Sequence, residues 1–248
     1  MHIQKMFRYT LATITASLSI TSTLAAMGPT MDPASCSALK GACTQADRLN
    51  ILESNEDWLF DFNDYPETYN FAPGGVTTAK ASTFAATVEN GMSMAMLNMG
   101  PCAMLPPHWH PRASNYVVTV LGSVTTYMWE ENGARLVTEK LTPGKMTIFP
   151  QGSMHMMVNT GCENAQVVSA LNSPDAGTAN VGQVFANGFP APLVNAAFGW
   201  EVASPLAKSK MLPPGTGVNW GPQECLQRCG IHPNGTYAPP NNMSYYRQ

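Results

Sequence analysis

The sequence predicts an all-β barrel or sandwich, set between an N-terminal arm and a C-terminal helical segment. Three features carry that prediction. From Val76 to Leu171 the chain breaks into short β-rich runs punctuated by Gly, Pro and Asn. Glu131-Asn132-Gly133 stands between two of these runs as a hairpin turn signal. Beyond residue 181 the alternation gives way to helical patterning, interrupted by Pro205 and Pro213-Pro214.

In chain order, residues 1–26 read as a secretory signal peptide. His2, Lys5 and Arg8 give a positive start, Leu11 to Leu24 an apolar run of small and hydroxylated residues, and Thr23-Leu24-Ala25-Ala26 a small-residue cleavage site. The run is shorter than the roughly 20 apolar residues of a membrane span, and no later segment is long and apolar enough to replace it. Residues 27–75 form an N-terminal extension, with a short helix over Cys43–Ser54 and an aromatic, turn-rich arm over Asp57–Gly75. Residues 76–180 form the barrel. Its clearest strands are Thr83–Val88, Met92–Leu97, Tyr116–Leu121, Val124–Trp129, Arg135–Leu141, Lys145–Phe149, His155–Asn159 and Ala165–Leu171. Residues 181–230 are the helical segment. Residues 231–248 are a polar, proline-rich flexible tail, where Asn234 and Asn242 head glycosylation sequons.

A net charge of −3 and a charged fraction of 12% exclude the basic face that a nucleic-acid partner requires. No Ser-His-Asp or Cys-His set and no Gly-rich phosphate loop is present. What remains is a soluble, exported protein with a possible small-molecule substrate.

The chemistry gathers at His108-Trp109-His110 and at Gly144 to Asn159, which includes Pro150-Gln151-Gly152 and His155. Side chains at i and i+2 of a strand leave the same face, so His108 and His110 can grip one ion while Trp109 points away to packing. His155 joins them from a second strand. Three imidazoles leave open positions for water or substrate. Asn115, five residues after His110, offers an amide, and an amide leaves a divalent ion with its full charge.

These motifs resemble the cupins. The run His110-Pro111-Arg112-Ala113-Ser114 narrows the likeness to germin-like and spherulin-like secreted proteins of the fungal or slime-mould type. So do Gly100-Pro101-Cys102, Glu131 to Arg135, Phe149 to Ser153 and Glu224 to Gly230. The resemblance implies a cupin jelly-roll barrel, a homo-oligomer, and a divalent metal, manganese first, with iron or copper as the other candidates. It carries the metal ligands onto His108, His110 and His155, and onto Asn115 with an amide in place of the family's glutamate. Asn159 completes the second motif and is expected to support the site by hydrogen bonding. Arg112 and Ser114 read as a hydrogen-bonded structural turn. Met104 and Leu105 replace the polar asparagine of oxalate-oxidising relatives, which argues against oxalate oxidase activity.

Six cysteines, an even number, fit an oxidising compartment. With His108 and His155 meeting on antiparallel strands, stepping back to Cys102 and forward to Cys162 keeps the two in step, and they are expected to pair. Cys36 and Cys43 then tie the N-terminal part to Cys225 and Cys229. The alternative closes Cys36 with Cys43 and Cys225 with Cys229. Sixteen methionines, many in the strand region, suggest packing of an irregular barrel interior; a soft copper-binding lining is the other reading.

Two functions follow. One is a metal-dependent enzyme of the cupin type, an oxidoreductase acting on an apolar or phenolic small molecule. The other is a non-catalytic extracellular, cell-wall or storage protein with a structural or vestigial metal site.

Overall fold

The computed structural model describes residues 31–199 and 217–232. The signal peptide and the sequons at Asn234 and Asn242 lie outside them. Two antiparallel sheets face each other. One has the order β1-β2-β9-β4-β7, built from β1 (Gly74–Ala79), β2 (Ser93–Met99), β9 (Ala165–Leu171), β4 (Asn115–Leu121) and β7 (Met146–Phe149). The other has the order β10-β3-β8-β5-β6, from β10 (Ala179–Asn180), β3 (Ala103–Trp109), β8 (Met154–Val158), β5 (Val124–Trp129) and β6 (Val137–Leu141). A short β11 (Asn219–Trp220) adds to β3. This is the jelly-roll class of architecture.

Alternation explains the core. In β9, Ala165, Val167, Ser169 and Leu171 are buried while the residues between them are half-buried. The inward set Leu97, Met99, Leu105, Val117, Val124, Val167, Phe149 and Met157 packs into one apolar cluster between the sheets. Burying each such side chain is worth roughly 1.5–3 kcal/mol.

β3 does not keep a single phase. Leu105 pairs with Met157, yet His108 pairs with His155, so one extra residue enters β3 between them. Pro106-Pro107 occupies that bulge, where neither residue could donate to the ladder. Without the bulge, Leu105 and His108 would face opposite sides. With it, both are buried.

The N-terminal part is helical where Gln45–Ile51 is capped by Thr44, whose hydroxyl accepts from the Asp47 backbone while Asp47 reaches back to Thr44. A preceding helix, Pro33–Gly41, starts at the Asp32 cap. Leu39 and Leu52 then bury against Ala86 and Val88. The expected strand Thr83–Val88 is instead a tight turn and a short 3-10 helix, Ala85–Thr87. The Thr83 hydroxyl bonds the Thr78 carbonyl at 2.7 Å and receives the Lys80 N–H at 3.1 Å. Such local bonds compete with a strand ladder.

The methionines of β2 also correct the expectation. Met92, just before β2, and Met94 are exposed and Met96 is half-buried; Met99 and Met157 are buried in the interior, with Met128 packed against the same core. The interior positions of β2 are Ser93, Ala95, Leu97 and Met99, which leaves the even-numbered methionines outside.

The cysteines pair differently from the expectation. The bonds are Cys102–Cys225 and Cys162–Cys229, and Cys36 and Cys43 are free. Cys102 and Cys162 do lie on adjacent chain segments, as the Cys102 N–H bond to the Gly161 carbonyl shows (3.0 Å). The helix Gln223–Arg228 and the turn after it set Cys225 and Cys229 against that pair of segments. Each cysteine of the helical end takes one of them, so the two bonds clamp the C-terminal helix onto the barrel.

Candidate metal centre

His108 and His155 sit opposite each other on β3 and β8, and His110 follows directly after β3. Ring centroids are 4.3 Å apart for His108 and His155, and 5.3 Å for each pair involving His110. One ring nitrogen of each lies within 4.8 Å of the other two. The structure thus brings together the three histidines that the sequence singled out.

Each ring is fixed by a backbone carbonyl that can only accept. His108 Nδ1 donates to Pro106 (2.7 Å), His110 Nδ1 to Gly177 (2.7 Å) and His155 Nδ1 to Ser153 (3.0 Å). The Nδ1 proton sets the tautomer and leaves a lone pair on every Nε2, the arrangement that second-sphere bonds give to metal-binding histidines. The Pro106 carbonyl is part of the bulge, so the irregularity that turns His108 inward also holds its ring. Gly177 has φ +66°, and a Cβ there would meet the Arg112 guanidinium at 2.8 Å. Only glycine fits without displacing that arginine.

Burial keeps the imidazoles neutral. It pushes His108 down to about 4, with a smaller effect from His110, and His155 down to about 2, aided by His108. His110 is lowered for the same reason. Neutral imidazole is the form that binds metal. His155 Nε2 is buried and without a hydrogen-bond partner. A buried unsatisfied nitrogen is costly, and an ion among the three rings would satisfy it. The residues fit a divalent metal.

The facing sheet supplies the rest. Phe149 stacks on His155 at 4.1 Å with the planes 10° apart. Asn115, buried at the start of β4, lies beside His110, its Nδ2 3.5 Å from His110 Nε2. Ser169 of β9 donates its hydroxyl to Asn115 Oδ1. Sequence reasoning missed Phe149 and Ser169, and no sequence signal distinguishes them from ordinary inward-facing residues.

Asn159 is elsewhere. Its Nδ2 donates to the carbonyls of Met99 (3.1 Å), Gly100 (2.9 Å) and Glu163 (2.7 Å), and its Oδ1 accepts from the Gly161 N–H (2.9 Å). All four partners are backbone groups of the turns near Cys102 and Cys162, and none is a histidine. The expected support to the site is therefore not what its bonds provide; they tie loops at the other end of β8. The rim turn is as expected. Arg112 bonds the Asp175 carbonyl at 2.7 Å and pairs with its carboxylate at 2.8 Å, while Ser114 accepts from the Gln151 N–H.

A two-sheet barrel with three convergent histidines from its paired strands defines a cupin. The cupin family model matches residues 60–204, and the chain belongs to that family. Within it the chain is germin-like and spherulin-like: it is 30% identical to Spherulin-1A of Physarum polycephalum over 195 residues, 78% of each chain. It is 34% identical to germin-like protein subfamily 3 member 1 of Arabidopsis thaliana, over 56% of this chain and 67% of that one. Among solved structures, an oxalate oxidase superposes with a TM-score of 0.57 at 23% identity, over 62% of this chain and 79% of the other. That likeness concerns the fold.

Proposed function

We propose that this chain is a secreted cupin that holds one divalent ion through His108, His110 and His155 and acts on an apolar or phenolic small molecule. One observation carries the reading: one ring nitrogen of each of three buried histidines lies within 4.8 Å of the other two, and each Nδ1 is already committed to a carbonyl. When bound, the ion supplies Lewis acidity or oxygen activation. Manganese is the first candidate by family likeness, with iron and copper next. The chain's own residues hold the imidazoles neutral and in one tautomer, and Phe149 walls the site with an apolar ring. Met104 and Leu105 give no polar grip of the kind that oxalate requires.

The second reading is a non-catalytic extracellular, wall or storage protein with a structural ion. The Asn115 amide favours it, because a neutral ligand set leaves a hard cation undercompensated. Elemental analysis of the secreted protein beside an Asn115→Glu variant decides between them. Near-stoichiometric metal in the natural protein, with loss of turnover of phenolic substrates on chelation, supports the enzyme. Metal in the variant alone rejects it.

Export is consistent with the two disulfides, and among the described residues no helix is long and apolar enough to cross a membrane. Self-association is supported by the outer face of the β1-β2-β9-β4-β7 sheet. None of its five strands carries a charged residue, and Met94, Tyr116, Val120, Met146 and Ile148 are exposed on it. An uncharged apolar patch of this extent is what an interface requires. A second copy of the chain covers it.

A further inference from the structure

Asn115 does not point its oxygen at the histidines. Oδ1 receives the Ser169 hydroxyl from β9, and the atom nearest the triad is Nδ2, 3.5 Å from His110 Nε2. His110 Nδ1 is already the donor to Gly177, so His110 Nε2 carries only a lone pair. The Asn115–Ser169 and Asn115–His110 contacts are thus mutually consistent, and they turn the N–H side of the amide inward. Both Asn115 and Ser169 are buried, at 3% and 2% exposure, so no water competes freely for either group.

The charge balance gives this orientation a meaning. The ligand cluster contains three neutral imidazoles and no carboxylate. A divalent ion there would keep two uncompensated positive charges in a buried place, which is costly. An ion on His110 Nε2 would take the lone pair that Asn115 Nδ2 now faces, and would leave that N–H next to the ligated ion, where it favours an anion bound to it.

We propose that Asn115, held by Ser169, is a hydrogen-bond donor to a small monoanion bound at the open side of the metal, and that it is not a fourth metal ligand. The ligand class is a singly charged small anion such as a carboxylate or phenolate, with azide and acetate as its probes. In this site the negative charge arrives with the ligand, where a glutamate would have built it into the protein. The inference rests on the three-histidine metal reading, and Ser169 is a positioning residue that acts through Asn115.

The test uses full-length protein loaded with Co²⁺, its metal content measured by elemental analysis, and titrated with azide and with acetate while the visible d–d bands are followed. A hydrogen bond to a charged group is worth roughly 10- to 100-fold in affinity. Asn115→Leu is therefore expected to bind azide at least about tenfold more weakly at unchanged cobalt content. Asn115→Asp, which returns the charge to the protein, should hold cobalt and lose azide. Ser169→Ala leaves every ligand in place and serves where Asn115→Leu fails to fold. It should weaken azide several-fold and leave cobalt unchanged.

Equal azide affinity in the wild type and Asn115→Leu overturns the proposal alone. Loss of cobalt from Asn115→Leu also overturns it, since it would make the amide oxygen a ligand. A wild type that takes up no cobalt rejects the metal reading itself.

Discussion

The carbonyl of Gly177 receives the Nδ1 proton of His110 at 2.7 Å, linking the loop before β10 to a ring of the three-histidine cluster far away in sequence. The loop is locked in turn: the Gly177 backbone is left-handed and packs under Arg112, which is itself paired with Asp175. Gly177→Ala should therefore rotate the carbonyl and free His110. Metal affinity is expected to fall roughly 10–100-fold, with a stability loss of about 1 kcal/mol. Metal titration and thermal melts of both proteins check this, and unchanged affinity rejects the coupling.

Phe149 joins core and site, being fully buried and stacked on His155. Phe149→Ala should cost about 3–5 kcal/mol of stability. Phe149→Leu should cost much less, yet still loosen the His155 ring. Urea unfolding reads the first effect, and the metal dissociation rate of the leucine variant reads the second.

Acid should destabilise the metal-free protein through its buried histidines. In the unfolded chain they titrate near 6.5, while the folded protein holds His108 at about 4 and His155 at about 2. Between those values the unfolded state binds more protons, so stability falls as pH drops below 6.5 and is fully present above it. His108 alone accounts for roughly 3 kcal/mol by pH 4. Denaturant midpoints of the apoprotein between pH 7.5 and 4, compared with a His108→Asn/His155→Gln variant, provide the measurement. Parallel slopes for the two proteins would contradict it.

The disulfides Cys102–Cys225 and Cys162–Cys229 close loops of 123 and 67 residues in sequence separation. Replacing Cys162 and Cys229 together by serine should lower stability by about 2–4 kcal/mol. Metal content should stay unchanged, because these bonds and Asn159 lie away from the histidines. A melt beside an elemental analysis separates the two effects.

Charges placed on the outer sheet should dissociate the proposed oligomer. Met146→Glu with Ile148→Lys is expected to reduce the solution mass to that of one chain, with the fold retained. Light scattering and circular dichroism test this; an unchanged mass would remove this face as the interface.

Much of the fold is legible in the sequence because period-2 alternation is strong where one face is buried. The runs Val124–Trp129 and Ala165–Leu171 coincide with β5 and β9. Thr83–Val88 has the composition of a strand, yet threonine hydroxyls there bond the nearby backbone instead. The outward set of Met92, Met94 and Met96 could not be told from an inward one, because both faces of β2 are apolar. The three histidines are legible through spacing, and Asn115 is legible as a departure from a carboxylate through the family resemblance. Its orientation is not, since that depends on Ser169, distant in sequence. Cysteine pairing failed for a similar reason. Neighbouring segments and bonded partners are different questions once a third segment docks beside them.

The doubled proline in β3 has a consequence for how this protein can change. Three steps of β3 are matched to two of β8 by a single inserted residue, while the sheet on either side is held by other strands. Deleting one of the two prolines would set Leu105 and His108 two residues apart, matching Met157 and His155, so His108 would keep its inward face while the Pro106 carbonyl that holds its ring is lost or moved. The extra residue therefore governs how the His108 ring is held and not which face it takes, so the histidine cluster can be altered while the sheet keeps its pairing.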